Sequence, residues 1–175
     1  SRDGAFSDRL RHAVGGMAAT MKESMAIFAP NGNSYRRHAA GGFVPASPSW
    51  GTNHRSVAMR IPLAAPANTR IEHRIAGADA NPYLVVAAVL AGIHHGISRE
   101  LEPPPPTPEG TEIDYEITVP VRWTQALDAF DAGALLPPYL GEGYHRLFSV
   151  CRREEEANYT AEVPTKDFDW YLRAV

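Results

Sequence analysis

Apolar residues return at every third or fourth position near the start of the chain: Phe6, Leu10, Val14, Met17, Met21, Met25 and Phe28. This spacing predicts a helix from Asp3 to Phe28. Gly15-Gly16 weakens its middle, its methionine stripe fits core packing, and Pro30-Asn31-Gly32-Asn33 ends it with turn chemistry. Residues 33–54 carry no period and are punctuated by Gly41-Gly42, Pro45, Pro48 and Gly51. With Phe43 and Trp50 to anchor it, this stretch reads as an ordered functional loop. Ser56–Pro62 and Arg70–Ile75 are predicted strands, joined as a hairpin-like pair by Pro66-Ala67-Asn68-Thr69. Asn81 and Pro82 supply an N-cap and a first helical position. The helix they open runs to Gly96, and apolar residues around most of its circumference predict burial. Pro103–Pro106 with Pro108 is an extended linker. Beyond it, Thr124 is expected to cap a short helix through Phe130. Tyr139–Tyr159 is expected to bury Tyr144, Leu147, Phe148 and Cys151 on one face, with Arg152–Glu156 as its solvated end. Pro164-Thr165 opens a last helix through Leu172.

The 175 residues suffice for one domain with a core, and 44% hydrophobic with 21% charged residues is ordinary for a globular protein. The net charge of -3 gives no general attraction to nucleic acid. Cys151 is the sole cysteine, so no internal disulfide forms, which suits a reducing, cytoplasmic setting. Tyr83–Ile97 is the longest apolar stretch; it is too short for a bilayer and holds His94 and His95, so no membrane partner is expected. No signal peptide is evident, and Ser1 stands in what reads as mid-helix sequence, so a preceding N-terminal part is expected.

Candidate chemistry concentrates in Arg70-Ile71-Glu72-His73-Arg74. Alternation along a strand puts Arg70, Glu72 and Arg74 on one face, about 7 Å apart per step. Arg36, Arg37, Arg55 and Arg60 lie upstream within one short segment. Guanidinium groups match phosphate and carboxylate with paired hydrogen bonds, and a carboxylate among them suits a divalent ion bridging phosphates. The cluster therefore reads as a site for a polyphosphate and an anionic substrate. An alternating Arg/Glu strand on its own is more often a solvated face, so the cluster gains weight only with the motifs around it. His73 faces away from Glu72 and reads as structural. His94 and His95 belong near a helix end, and Trp50 to packing.

Four motifs occur together: Asn33-Ser34-Tyr35-Arg36-Arg37, Asn53-His54-Arg55-Ser56 through Arg60-Ile61-Pro62, Arg70-Ile71-Glu72-His73-Arg74, and Ala80-Asn81-Pro82-Tyr83-Leu84. In order and spacing they resemble the C-terminal part of the glutamine synthetase catalytic domain. The resemblance implies an α+β fold, antiparallel strands of a partial barrel packed with helices, with residues 1–175 as the C-terminal part of that domain. It implies an ATP-dependent ligase that phosphorylates the glutamate side-chain carboxylate and lets an amine displace the phosphate, with Mg2+ or Mn2+ as cofactor. Matched by position, Arg37 and Arg74 resemble the arginines that hold glutamate. Arg55 resembles the one that stabilises phosphoryl transfer, Arg60 and Arg70 the ATP-phosphate contacts, and Glu72 a metal ligand. Arg55 and Arg60 differ in strand parity, so one site can use both only if a bulge or strand end separates them. The family also implies a homo-oligomer of stacked rings.

Two departures bear on substrate. Most glutamine synthetases carry a glutamate in the loop after Asn-Ser-Tyr, where this chain has Gly42-Phe43 and no acidic residue between Arg37 and Trp50. A neutral, apolar loop suits an alkylamine, since each buried methylene is favourable by about 0.8 kcal/mol. The stretches Ala46–Gly51 and Gly77–Tyr83 also resemble the branch that makes γ-glutamylputrescine and γ-glutamylpolyamines. A γ-glutamyl amide of putrescine or another alkylamine is thus the expected product, with ammonia, or a catalytically silent relative, as the alternatives. The other departure is Ala67, where the family commonly has a basic residue near the nucleotide. Glu72 alone cannot hold two metals, so residues 1–175 by themselves are expected to lack ligase activity.

Overall fold

The computed structural model describes residues 6–38, 44–111 and 117–173. Its first and longest element is α1 (Asp8–Phe28), capped by the Ser7 side chain, which accepts from the Leu10 amide at 3.3 Å. Residues 3–5 of the expected helix lie outside the described residues. Val14, Met17, Met21, Met25 and Phe28 are all buried, so the methionine stripe is core. The second long helix, α2 (Pro82–Arg99), starts where Asn81 Oδ1 accepts from the amides of Tyr83 and Leu84.

Gly15-Gly16 turns out to be the place where α1 and α2 meet. A Cβ on Gly16 would collide with Gly92 O and Gly96 N, and one on Gly96 would lie 2.6 Å from Gly16 N. Backbone approaches backbone here, which only missing side chains allow. The expectation that α2 is buried needs correction. Ala88, Ala91, Gly92 and Gly96 face α1, but Tyr83 is 84% exposed, Val86 56% and Leu90 58%. A narrow contact between glycine-rich helices covers less of the circumference than an apolar composition suggests.

The sheet has the order β1-β2-β3, with β1 at Trp50–Thr52, β2 at Met59–Ile61 and β3 at Glu72–His73. β2 and β3 form the expected antiparallel pair, with Arg60 opposite Glu72 and Met59 opposite His73. The strands are shorter than the alternation predicted, and Pro66–Asn68 is a 3-10 turn within the connection. β1 is an addition: it runs parallel to β2 inside the stretch expected to be irregular, making the sheet mixed. Ser34–His38 in the same stretch is also a 3-10 turn. Parallel neighbours usually need a crossover of about a dozen residues; here residues 53–58 suffice, because Asn53 turns the chain in the left-handed region at φ 57°.

The C-terminal part is helical: α3 (Trp123–Asp131), α4 (Pro137–Leu140), α5 (Glu142–Ala161) and α6 (Thr165–Tyr171). α3 packs on α1 through Ala126, Leu127 and Phe130. Thr124 is not its cap; its hydroxyl donates to Glu156 on α5 at 2.5 Å, and Arg122 occupies the cap position. Gly141, at φ 83°, separates α4 from α5 within the span predicted as one helix. Of the four residues expected on the buried face of α5 only Phe148 is buried. Arg153 reaches across to Asp128 and Asp131 on α3 at 2.7 and 2.6 Å. No helix among the described residues is long and apolar enough to cross a membrane.

Candidate functional site

The pairing of β2 with β3 puts Arg60 directly opposite Glu72. Arg60 Nη1 donates to Glu72 Oε2 at 3.0 Å, and Arg70 Nη2 donates to Oε1 at 2.8 Å. One carboxylate thus spans two guanidinium groups, as the shared strand face predicts for Arg70 and Glu72. Burial alone pushes the Glu72 carboxyl upward, but the hydrogen bonds and charges of Arg60 and Arg70 outweigh it and hold the group below the ordinary carboxylate value. Arg60 also donates through Nη2 to Asn53 Oδ1 at 2.7 Å.

Past β3, the Arg74 amide donates to Ala58 O at 2.9 Å, keeping Arg74 beside β2. The following turn carries Gly77 and Asp79, and Arg37 lies against it: a Cβ on Gly77 would meet Arg37 Nη2 and Asp79 Oδ1. Ser34 Oγ donates to Asp79 Oδ2 at 2.6 Å and Asn31 Nδ2 adds a bond at 3.3 Å. The Ser34 bond, helped by the Arg37 charge and against some burial, lowers the Asp79 pKa. Asp79 is therefore an ionised neighbour whose Oδ2 is held by Ser34 and Asn31. Nε and Nη2 of Arg37, Nε of Arg74 and Nε of Arg60 are buried with no hydrogen-bond partner among the described residues. Buried charged donors without an acceptor are costly, so these nitrogens are where an anion would be stabilised.

Arg55 is exposed in the turn between β1 and β2, with no hydrogen-bond partner among the described residues. β2 begins only at Met59. A strand end therefore separates Arg55 from Arg60, which removes the parity conflict. His73 turns to the other side of β3, with its ring centroid 4.4 Å from that of Phe28. Burial pushes its pKa down to about 4, so the ring is neutral and structural. Trp50 is buried and donates to Pro104 O at 2.6 Å, a packing role. His94 and His95 sit edge-on to Tyr139.

The sequence reading missed Asn53, Asp79 and Ser34 as members of the site. Asn tolerates a left-handed backbone, and Asn53 at the end of the Gly- and Pro-punctuated stretch, just before the predicted strand at Ser56, was the only local signal. Asp79 lies in the turn leading to α2, where an acidic residue is common and says little.

The residues described here do not by themselves make a divalent-ion site. Both oxygens of Glu72 are engaged by arginines, and among the described residues no group of three His, Cys, Asp or Glu side chains converges. Gly42-Phe43, the place of the missing loop glutamate, lies outside the described residues.

Comparison with known proteins places the chain in a family. The family pattern of the glutamine synthetase catalytic domain matches residues 1–171. Gamma-glutamylputrescine synthetase of Escherichia coli (strain K12) is 41% identical over 172 residues, covering 98% of this chain and 36% of the relative. Gamma-glutamylethanolamide synthetase of Streptomyces coelicolor is 32% identical over 170 residues, covering 97% of this chain and again 36% of the relative. Among solved structures, GmaS without ligand superposes with a TM-score of 0.81 at 26% identity, over 96% of this chain and 39% of GmaS. The chain thus spans little more than a third of the length of the curated relatives it matches.

Proposed function

The chain belongs to the glutamine synthetase family, and on that premise we propose that the whole protein is an ATP-dependent ligase joining glutamate to an organic amine through a γ-glutamyl phosphate. The observation that carries this reading is the cluster of arginines around one carboxylate, with buried guanidinium nitrogens unpartnered at Arg37, Arg60 and Arg74. Phosphoryl transfer is catalysed chiefly by positioning and by charge complementary to the transferring group, and such nitrogens supply both. In this reading residues 1–175 are the C-terminal part of the catalytic domain, which agrees with their covering 36% of two relatives.

Each residue has a defined task. Arg37 and Arg74 hold the glutamate carboxylate, using donors that have no partner among the described residues. Arg60 and Arg70, held rigid by Glu72, contact the ATP phosphates. Arg55, exposed and without a carboxylate partner among the described residues, faces the charge that develops on the transferring phosphoryl group. Each Glu72 oxygen accepts one arginine bond and keeps a second lone pair that could face Mg2+ or Mn2+, but no group of three acidic, His or Cys side chains converges with it among the described residues, so no step is assigned to a metal on this chain. The amine is read as an alkylamine because Gly42-Phe43 supplies no carboxylate for ammonium. The names of the putrescine and ethanolamine enzymes support that choice. A homo-oligomer in a cytoplasmic setting is part of the same reading, and the apolar residues exposed on α2 support further association.

The test uses the full-length protein with ATP, glutamate and, separately, putrescine, ethanolamine and ammonium. Formation of ADP and of a γ-glutamyl amide with an alkylamine, reduced at least ten-fold by Arg74→Ala through KM for glutamate, is the expected result. A preference for ammonium would replace the amine assignment. No glutamate-dependent release of ADP with any of the three would defeat the ligase reading.

A further inference from the structure

The Pro-rich stretch after α2 behaves as more than a linker. Trp50 Nε1 donates to Pro104 O at 2.6 Å, and the Thr107 amide donates to Trp50 O at 2.8 Å. Gly51 has no room for a side chain there, since its Cβ would lie 2.5 Å from Thr107 O. Two residues on, Glu109 Oε1 accepts from Asn53 Nδ2 at 2.7 Å. Thr111 O accepts from His54 Nε2 at 2.9 Å, while His54 Nδ1 accepts from the Ser56 amide at 3.2 Å. Both nitrogens of the buried His54 are thus used, and the tautomer with its proton on Nε2 is the one that fits. The stretch Thr107–Thr111 touches Trp50, Gly51, Asn53 and His54 in order, along the segment that leads to Arg55.

Asn53 is the pivot of these contacts. Its φ of 57° turns its side chain out of the β1 path. Its two polar atoms then work in opposite directions: Oδ1 receives Arg60 Nη2 at 2.7 Å, and Nδ2 is anchored on Glu109. The Glu109 anchor also fixes the amide orientation, because a flipped Asn53 would point its NH2 at the guanidinium and its oxygen at the carboxylate. We propose that Glu109 and Asn53 are positioning residues, a strut from the Thr107–Thr111 strap that holds the Arg60 guanidinium in the orientation needed for a nucleotide phosphate. This rests on the reading of Arg60 as a phosphate contact and adds the elements that aim it. Arg60 is gripped on one side by Glu72 and on the other by Asn53, so removing the strut leaves Glu72 to draw the guanidinium toward itself.

The experiment compares Glu109→Ala, Glu109→Gln, Asn53→Gly and Arg60→Ala in the full-length protein. It measures MgATP affinity by calorimetry, KM for ATP and for glutamate, kcat, and the melting temperature. Glycine at 53 keeps the positive φ without strain, and glutamine at 109 keeps an oxygen that accepts the same bond. Glu109→Ala and Asn53→Gly are expected to weaken MgATP binding and raise KM for ATP about three- to ten-fold. KM for glutamate and the melting temperature should hold, and Glu109→Gln should restore the native value. If Arg60→Ala weakens nucleotide binding while Glu109→Ala and Asn53→Gly do not, the strut is refuted and the phosphate reading stands. If Arg60→Ala itself leaves nucleotide affinity unchanged, both fall. Failure of Glu109→Gln to rescue, or a rise in both KM values accompanied by a lower melting temperature, reduces the strap to a structural role and overturns the proposal.

Discussion

Replacing Gly16 by alanine should destabilise the protein, although alanine is the better helix former. In an open helix the substitution gains about 1 kcal/mol. At Gly16 the new methyl meets Gly92 O, Gly96 N and, at 2.5 Å, Gly96 Cα, all of them backbone atoms that cannot rotate aside. An ordinary carbon–carbon contact is about 3.5 Å or longer, so α1 and α2 must part by about 1 Å. Overpacking of this kind costs about 1–3 kcal/mol. A gap of that size also forfeits a quarter to a half of each dispersion contact along the crossing, where Val14, Met17, Met21, Ala88 and Ala91 are buried. After the propensity gain is subtracted, a net loss of about 2 kcal/mol remains, or a urea midpoint lower by about 1 M at an m-value of about 2 kcal/mol/M. Gly143→Ala is the control: it lies in α5 with nothing within 4 Å of its would-be Cβ, so only the propensity gain, at most about 1 kcal/mol, is expected. The assay is urea unfolding followed by circular dichroism. A Gly16→Ala midpoint at or above that of the unaltered protein would refute the backbone-contact account of this crossing.

The remaining expectations concern acid and a half-buried carboxylate that satisfies a turn. His73 has its folded pKa depressed to about 4 from 6.5, so the unfolded chain binds the proton first. Its contribution is complete above pH 6.5 and is lost as pH falls toward about 4, on the order of 3 kcal/mol. Unfolding measured across that range should flatten for His73→Phe, and an unchanged pH slope would count against the burial argument. Glu23, on α1, accepts from the amides of Ala134, Leu135 and Leu136 at 3.0–3.3 Å, satisfying the turn that leads into α4. Glu23→Ala should cost about 1–3 kcal/mol, read as a lower thermal midpoint, and a neutral result would show that water replaces the carboxylate.

What the sequence could disclose was set by the range of the forces involved. Helix α1 was legible because its apolar period is local, and Asn81-Pro82 marked the start of α2 through two side-chain effects confined to one turn. The nearness of Arg70 and Glu72 was legible because they are two residues apart in sequence, and their side chains meet just before β3 begins. The role of Gly15-Gly16 was not, because a propensity scale sees only the helix that holds them, while the gain comes from Gly92 and Gly96 far along the chain. Strand β1 was hidden similarly: a segment with Gly51 inside it has poor strand character, and its partners are β2 and the Thr107 amide. The buried faces of α2 and α5 were overestimated because apolar periodicity identifies a face that can be covered without saying that this chain covers it.

The same distinction explains the state of the arginines. Nearness in sequence brings Arg70 to Glu72, and strand pairing brings Arg60 to the same carboxylate. One negative charge then faces two positive ones. Asp79 does not correct the balance, since its Oδ2 is directed at Ser34 and Asn31 and contributes only its field to Arg37. Arg37 and Arg74 consequently keep buried nitrogens without acceptors among the described residues. A fold optimised only for stability would exchange such groups for apolar side chains or complete their hydrogen bonds. Unpartnered nitrogens on Arg37, Arg60 and Arg74 are what the proposed binding of anionic substrates would use, since a ligand bringing its own negative oxygens would complete their hydrogen bonds.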